Sequence, residues 1–385
     1  MTHPHSPSLV PFGPSGALVR SVVVPFDPDT SPDPLSRFGL EVPERWKTVD
    51  RSAHAPRIVA VPGEDGADRV AAALVTARPR TGYLKIVDVV GDVRAAVGAV
   101  VAQAREQGLV QVKWEGWTAS PEDAAAAGFA PLRPPAVPPE DGAGPDTGYV
   151  RWLCDGAGTE PPYYRQTTHF TCGAVTALVA QAHAGTPPVE GEVLDREAEL
   201  TLWRGATNFP ACEPVGLGVA VRRAWPTSPV TVHLDTDLPV LLDHYPAEEQ
   251  EWRALLQRTS RTEAGRIGVP VDASRLPLAG IRSAIGRREH VLLLVSLVGM
   301  QGFDVPHWVL CHGVVPGAVV IEDPWAHAVA GDTWVDAHML PVPDASLDTM
   351  SAMSSASVDG FRGAVTIGRP QGSDTSGHLG DAHTS

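Results

Sequence analysis

The stretch RQTTHFTCGAV (165–175) places Cys172 six residues after Gln166 and directly before an apolar run. In CGAVTALVAQAH, Val175, Leu178, Val179 and Ala182 recur at i, i+3, i+4 and i+7, one buried stripe of a helix that begins at the cysteine. A helix start presents unpaired N–H groups and the positive end of the peptide dipoles, which favour an anion. The thiolate is the attacking form of cysteine, so this placement predicts a nucleophile for acyl transfer at Cys172. Its own backbone N–H, joined by a side-chain N–H of Gln166 from the preceding turn, can face the oxyanion that forms when a carbonyl is attacked.

Such a nucleophile needs a base, and the base needs an orienting group. VPHWVLCHGVVPGAVVIEDPW (305–325) reads as two apolar strands around a Pro316-Gly317 turn, with His307 opening the first strand and Asp323 closing the second. Side chains alternate along a strand, so register decides whether the two share a face. A two-residue turn pairs 315 with 318 and brings Glu322, not Asp323, to the face of His307. A three-residue loop pairs 314 with 318 and sets Asp323 opposite Val309, on that face. A Cys–His–Asp set therefore requires an odd-length loop or a bulge in this hairpin. By parity Cys311 lies on the His307 face, either near the site or as a small core residue. His312 points away and is excluded as the base, and Trp308 faces the core.

Gln166-x5-Cys172-Gly173 at a helix start, Pro306-His307-Trp308 on a strand and Asp323-Pro324 after the next strand together resemble papain-like cysteine peptidases. Within that group, EAELTLWRGATNF and CEPVGLGVAVRRA in 197–224 add similarity to the bacteriocin-processing (double-glycine) peptidase family and its stand-alone bacterial relatives. The resemblance spans roughly 160–340. It implies an α+β fold, with a helical part carrying Cys172 and a twisted antiparallel sheet carrying His307 and Asp323. It also implies Cys172 as nucleophile, His307 as base and then acid, Asp323 as the orienting carboxylate and Gln166 as oxyanion donor. The substrate would be a peptide or amide, the intermediate a thioester, and no cofactor is called for. Two other functions fit the same residues: an acyl- or peptidyl-transferase in which an amine resolves the thioester, and a peptide-binding module without catalysis. The family's transporter-borne members cleave after a Gly-Gly leader. This chain carries neither a membrane span nor a GxxxxGK[ST] phosphate loop, so that preference is not carried over.

The elements before this region follow an α/β order. RIVAVP, AAALVTARP and GYLKIVDVV read as strands, VRAAVGAVVAQAREQG as a helix ended by Gly108, and VQVKWEG as a strand. SPEDAAAAGF opens a helix, with Ser120 as cap and Pro121 in its first turn. This order resembles the C-terminal half of GNAT acetyltransferases, truncated at its front. The pyrophosphate-binding turn of that family, [QR]-x-x-G-x-[GA], maps onto 94–99, where Val97 replaces the glycine that would let backbone approach the cofactor. The expectation is a degenerate scaffold rather than an acetyl-CoA enzyme. The chain then divides into a Pro/Ser-rich leader (1–36), a GNAT-like α/β domain (37–132), a Pro-rich linker (133–148), the peptidase-like domain (149–368) and a polar, disordered tail (369–385).

Bulk properties narrow the rest. The 385 residues are 43% hydrophobic and carry a net charge of −15, which argues against nucleic-acid or anionic-membrane partners and suits a neutral or basic substrate. The N-terminus lacks a signal-peptide pattern, and the longest apolar run, VLLLVSLVGM (291–300), is too short to span a bilayer. The four cysteines show no CxxC spacing, which argues against zinc and fits reduced thiols in a cytoplasmic protein. His169 is read as a solvated loop histidine or a tuner of the thiolate. Cys212 sits in a loop before a helix, either lining the cleft or without a role. Trp325 either shields the His–Asp pair or simply packs. DREAELTLWR (195–204) reads as a solvated acidic face with Leu200 and Trp203 turned inward.

Overall fold

The computed structural model describes residues 8–12, 17–27, 35, 38–39, 41–63, 69–138, 144–156, 158–185, 194–206, 210–243, 245–354 and 360–369. It is a mixed α+β protein built on two sheets. The first contains β1 (Ser8–Phe12), β2 (Ala17–Pro25), β3 (Arg57–Pro62), β4 (Arg69–Thr76), β5 (Tyr83–Gly91), β6 (Gln111–Glu115), β7 (Ala130–Pro131) and β8 (Gly148–Trp152). Its order is β1-β2-β3-β4-β5-β6-β8-β7. Only β5 and β6 run parallel, because a helix crosses over between them. Helix α1 (Glu41–Lys47) packs on one face of the sheet and α2 (Val93–Glu106), the crossover helix, on the other; α3 (Pro121–Ala126) follows β6.

The alternation of β5 and β6 has an unusual outcome. Leu84, Ile86, Val112 and Trp114 pack under α2 as expected of an apolar face. Tyr83, Lys85, Gln111, Lys113 and Glu115 form the other face and are also buried. What covers them is the second half of the chain.

That half begins with helices α4 (Cys172–His183), α5 (Arg196–Ala206) and α6 (Pro214–Ala224). After β9 (Val230–Leu234) come the long α7 (Ala247–Ile267), β10 (Val271–Asp272), α8 (Leu278–Gly286), β11 (His290–Ser296) and the short α9 (Val298–Gln301). The chain continues through β12 (Pro306–Val315), β13 (Ala318–Glu322), α10 (Trp334–Ala337), β14 (Leu340–Pro343), α11 (Asp344–Met350) and β15 (Gly363–Ile367). The second sheet has the order β10-β9-β15-β11-β12-β13-β14, antiparallel except for β10 beside β9. The near-continuous apolar run of β11 reflects burial on both faces. Leu292 and Leu294 pack with α4 and α6, whereas Val291, Leu293 and Val295 pack toward α8 and α11. No helix among the described residues is long and apolar enough to cross a membrane.

Three expectations are corrected here. The segment read as a loose leader carries β1 and β2, so the first sheet is extended rather than truncated at its front. The second domain was expected to start at 149, but that position lies inside β8, which pairs with β6 in the first sheet. In α5, Leu202, Trp203 and Glu199 are buried, and Leu200 is only partly so. The tail from residue 370 onward lies outside the described residues.

Candidate active site

Helix α4 starts at Cys172, as its apolar stripe requires, and its first residue is 8% exposed. The N-cap, Thr171, sends its hydroxyl to Thr168 and to the carboxyl of Glu199 rather than back onto the helix. The first N–H groups of α4 are therefore not occupied by that side chain. Glu199 also accepts from Tyr164 Oη at 2.9 Å and from the Thr167 N–H at 2.8 Å. This one buried carboxyl thus braces the whole loop from 164 to 171. The expectation of a solvated acidic face misses it. The signal was present, since Glu199, Leu202, Trp203 and Ala206 recur at i, i+3, i+4 and i+7.

Gln166 is carried by that loop and is 6% exposed. Its backbone N–H donates to the carbonyl of Pro324 at 3.0 Å, which ties the loop to the segment holding Asp323. Gln166 Nε2 donates to the Thr168 carbonyl at 2.7 Å and retains a second N–H to offer.

His307 opens β12 and Asp323 follows β13. The turn between the strands has two residues, since Val315 pairs with Ala318 and Gly317 adopts φ 72°. Such a turn alone would put Asp323 on the wrong face. The register shifts between Cys311 and Gly313, so His312 forms a bulge and Leu310 faces Glu322. Asp323 is thereby returned to the face of His307. The requirement for an odd loop or a bulge is met by the bulge. His307 Nε2 donates to Asp323 Oδ1 at 2.7 Å, and the Trp325 N–H donates to the same oxygen at 2.8 Å. This leaves Nδ1 as the His307 nitrogen not engaged by Asp323, and Cys172, buried at the start of α4, lies near enough to act on the imidazole electrostatically.

The electrostatics follow from burial and partners. Burial alone would lower His307, but the Asp323 carboxylate and then Cys172 more than offset it and hold the imidazole at about 10. Burial alone would raise Asp323, which is 0% exposed, yet His307 and Arg78 hold it below the usual carboxylate range. Arg78 was not foreseen. It leaves the end of β4 in the first sheet and donates from Nη1 to Asp323 Oδ2 at 2.7 Å. Nothing in TARPR marks it, because its partner lies 245 residues away in sequence.

The remaining residues sort as follows. Cys212 is 3% exposed and packs beside Gly173, close enough to feel the charge of Cys172; burial raises its thiol far above the ordinary value. Trp308 is core, and its Nε1 donates to the Cys212 carbonyl at 3.0 Å. Cys311 is a core residue, raised by burial to about 12. His312 turns to Glu322, 3.2 Å away, on the side remote from His307. The rings of Trp325 and His169 lie 5.1 Å apart. They line a cleft of about 690 Å3 with Tyr163, Arg165, Gln166 and Arg196, together with Pro135 and Val137 of the linker. Among the described residues no group of three or more His, Cys, Asp or Glu side chains is arranged to hold a metal ion.

The family described as Peptidase_C39 like matches residues 161–368. None of the curated proteins compared is similar to the chain. Among solved structures, a Bacillus subtilis acetyltransferase in complex with CoA is similar at 10% identity and a TM-score of 0.23, over 34% of this chain and 97% of that one. The family match spans more than half of the 385 residues and contains Gln166, Cys172, His307 and Asp323, and the chain belongs to the Peptidase_C39 like family.

Proposed function

We propose that the protein is a cysteine peptidase or amidase working through Cys172, His307 and Asp323. The observation that carries the reading is the 2.7 Å bond from His307 Nε2 to Asp323 Oδ1, with Cys172 near enough to act on the same imidazole. A buried, well-paired imidazole stabilises the thiolate at the start of α4. The thiolate sulfur attacks the substrate carbonyl carbon. The oxyanion so formed meets the Cys172 N–H and the second Nε2–H of Gln166. His307 passes its proton to the leaving amine as the C–N bond breaks, giving a thioester. Water then attacks the thioester while His307 takes its proton, which releases the carboxylic acid and restores the thiol pair.

The cleft beside Gln166 supplies the binding surface. Its aromatic walls suit a peptide, and Arg165 and Arg196 favour an acidic group in the part of the substrate lying there, against the neutral or basic substrate expected from net charge. The first sheet, through β8, acts as a scaffold. At the start of α2, where a pyrophosphate would sit, the Asp92 carboxylate already accepts the Ala95 N–H at 3.0 Å, and Val97 is buried. A fixed carboxylate there opposes an anionic cofactor.

The test is an acyl-enzyme trap. The full chain is incubated with acidic and neutral peptides, quenched in acid and digested. A mass increase confined to the peptide carrying Cys172, lost in Cys172→Ala, supports the proposal. Hydrolysis or binding without such an adduct across the panel overturns it. Adding an amine and weighing the product separates water from amine as acceptor.

A further inference from the structure

Arg78 is the only described residue of the first sheet unit that bonds the carboxylate partnering His307, and its side chain is 0% exposed. Its guanidinium is used as a fork. Nη1 donates to Asp323 Oδ2 at 2.7 Å, Nε to Asp332 Oδ2 at 3.1 Å, and Nη2 to the Trp325 carbonyl at 3.0 Å. It therefore clamps both ends of the segment that follows β13. Arg78 is itself fixed from behind: the Ala77 N–H donates to the His54 carbonyl at 3.0 Å, and Thr81 Oγ1 donates to the Arg78 carbonyl at 2.6 Å.

The two oxygens of Asp323 are thus shared between the halves of the protein. Oδ1 serves His307 and the Trp325 N–H; Oδ2 serves Arg78, with Gln301 Nε2 at 3.5 Å. The other titratable groups in this region are Asp332, Asp336 and Tyr83 beside Arg78, His54 at 3.5 Å from Asp332, Cys172 through His307, and Tyr163 and Glu322 nearby. During turnover His307 alternates between charged and neutral. Each time it gives up its proton, Asp323 would stand buried without a cation, and burial penalises the ionised form. Arg78 supplies that cation throughout.

We infer that Arg78 is a positioning residue for the catalytic pair, so that the N-terminal sheet completes the active site rather than merely accompanying it. Arg78 keeps Asp323 ionised and aimed at His307 Nε2. The inference rests on the triad reading above, and the test separates the two.

The experiment uses the full chain and follows iodoacetamide alkylation of Cys172 against pH, which requires no substrate. Removing Arg78 alone would leave Asp332 buried and uncompensated, so Arg78→Gln/Asp332→Asn is compared with Asp332→Asn, with folding checked by circular dichroism. Asp332→Asn, in which Arg78 retains its bond to Asp323, sets the reference profile. The double variant should be alkylated about tenfold or more slowly at pH 6, with the acid limb of the profile moved up by about one pH unit. Arg78→Lys, with charge but without the fork, should recover part of that loss. A folded double variant whose profile superimposes on that of Asp332→Asn overturns the inference. If His307→Gln also leaves Cys172 alkylation unchanged, the triad reading itself fails. If His307→Gln slows it and the Arg78 variant does not, only the positioning role falls.

Discussion

His307 and Asp323 share a face of the β12–β13 hairpin only because His312 is squeezed out of the ladder between Cys311 and Gly313. With the two-residue turn at Pro316-Gly317, a regular ladder would put Asp323 opposite Leu310 and turn Glu322 toward His307. Deleting His312 should therefore keep the pair, because the shortened strand reaches the same register, with Asp323 opposite Val309, without a bulge. Alkylation of Cys172 at pH 6 should stay within a few-fold of the wild type in the deletion, whereas Asp323→Asn, which keeps the register but removes the charge, should slow it at least about tenfold. Unchanged labelling in Asp323→Asn would mean that the carboxylate does not govern the ring.

Glu199 collects Tyr164, Thr167 and Thr171 on one buried carboxyl and so holds the loop that carries Gln166. In Glu199→Gln the amide NH2 would face donors that need an acceptor. A loss of about 2–3 kcal/mol in urea unfolding is expected. Because the loop sets the Gln166 amide, acyl-enzyme formation should slow as well. A variant as stable as the parent would remove Glu199 from this role.

Lys85 lies between Glu115 at 2.6 Å and Asp336, with its side chain 1% exposed. Its charge joins the first sheet to α10. Replacing it with methionine strands two buried carboxylates and should cost about 3–5 kcal/mol. A small effect in thermal unfolding would show that the two halves are held by their apolar contacts alone.

His183 Nδ1 and His290 Nε2 lie 2.9 Å apart at the end of α4. Burial, reinforced by the neighbouring imidazoles, pushes His183 down to about 4 and His290 down to about 3. In the unfolded chain both titrate near 6.5. Between those values the unfolded state binds more protons, so stability is full above pH 6.5 and is lost as the pH falls toward 4. His290→Gln should flatten this acid slope in denaturant titrations at pH 6.5 and pH 4.5. A slope identical to the wild type would exclude the pair as its source.

The reach of the sequence is clearest where chemistry and periodicity coincide. The helix at Cys172 follows from its apolar stripe, and Ser120 caps α3 as its spacing predicts. The hairpin could be reduced to two registers, but the bulge at His312 was not legible, because His312 meets His183 of α4 and Glu322, a carboxylate that His338 after α10 also bonds. Long-range charge pairing was invisible. Lys85, Lys113 and Glu115 alternate with apolar residues in the manner of a solvated strand face, and only the docking of residues 331–338 reveals them as buried. Arg78 belongs to the same class. Strands β1 and β2 lie among prolines and serines that read locally as coil, and pairing with β3 overrides that local signal.

The most direct measurement is the rate of iodoacetamide alkylation at each of the four thiols against pH, read by peptide mass spectrometry in the wild type and in His307→Gln. Burial raises the Cys154 and Cys212 thiols and lifts Cys311 to about 12, so these three remain protonated near pH 6. The account predicts that Cys172 is alkylated at least about tenfold faster than any of them at pH 6, and that loss of His307 removes this advantage. Alkylation of Cys172 no faster than the other thiols, or indifferent to residue 307, would contradict it.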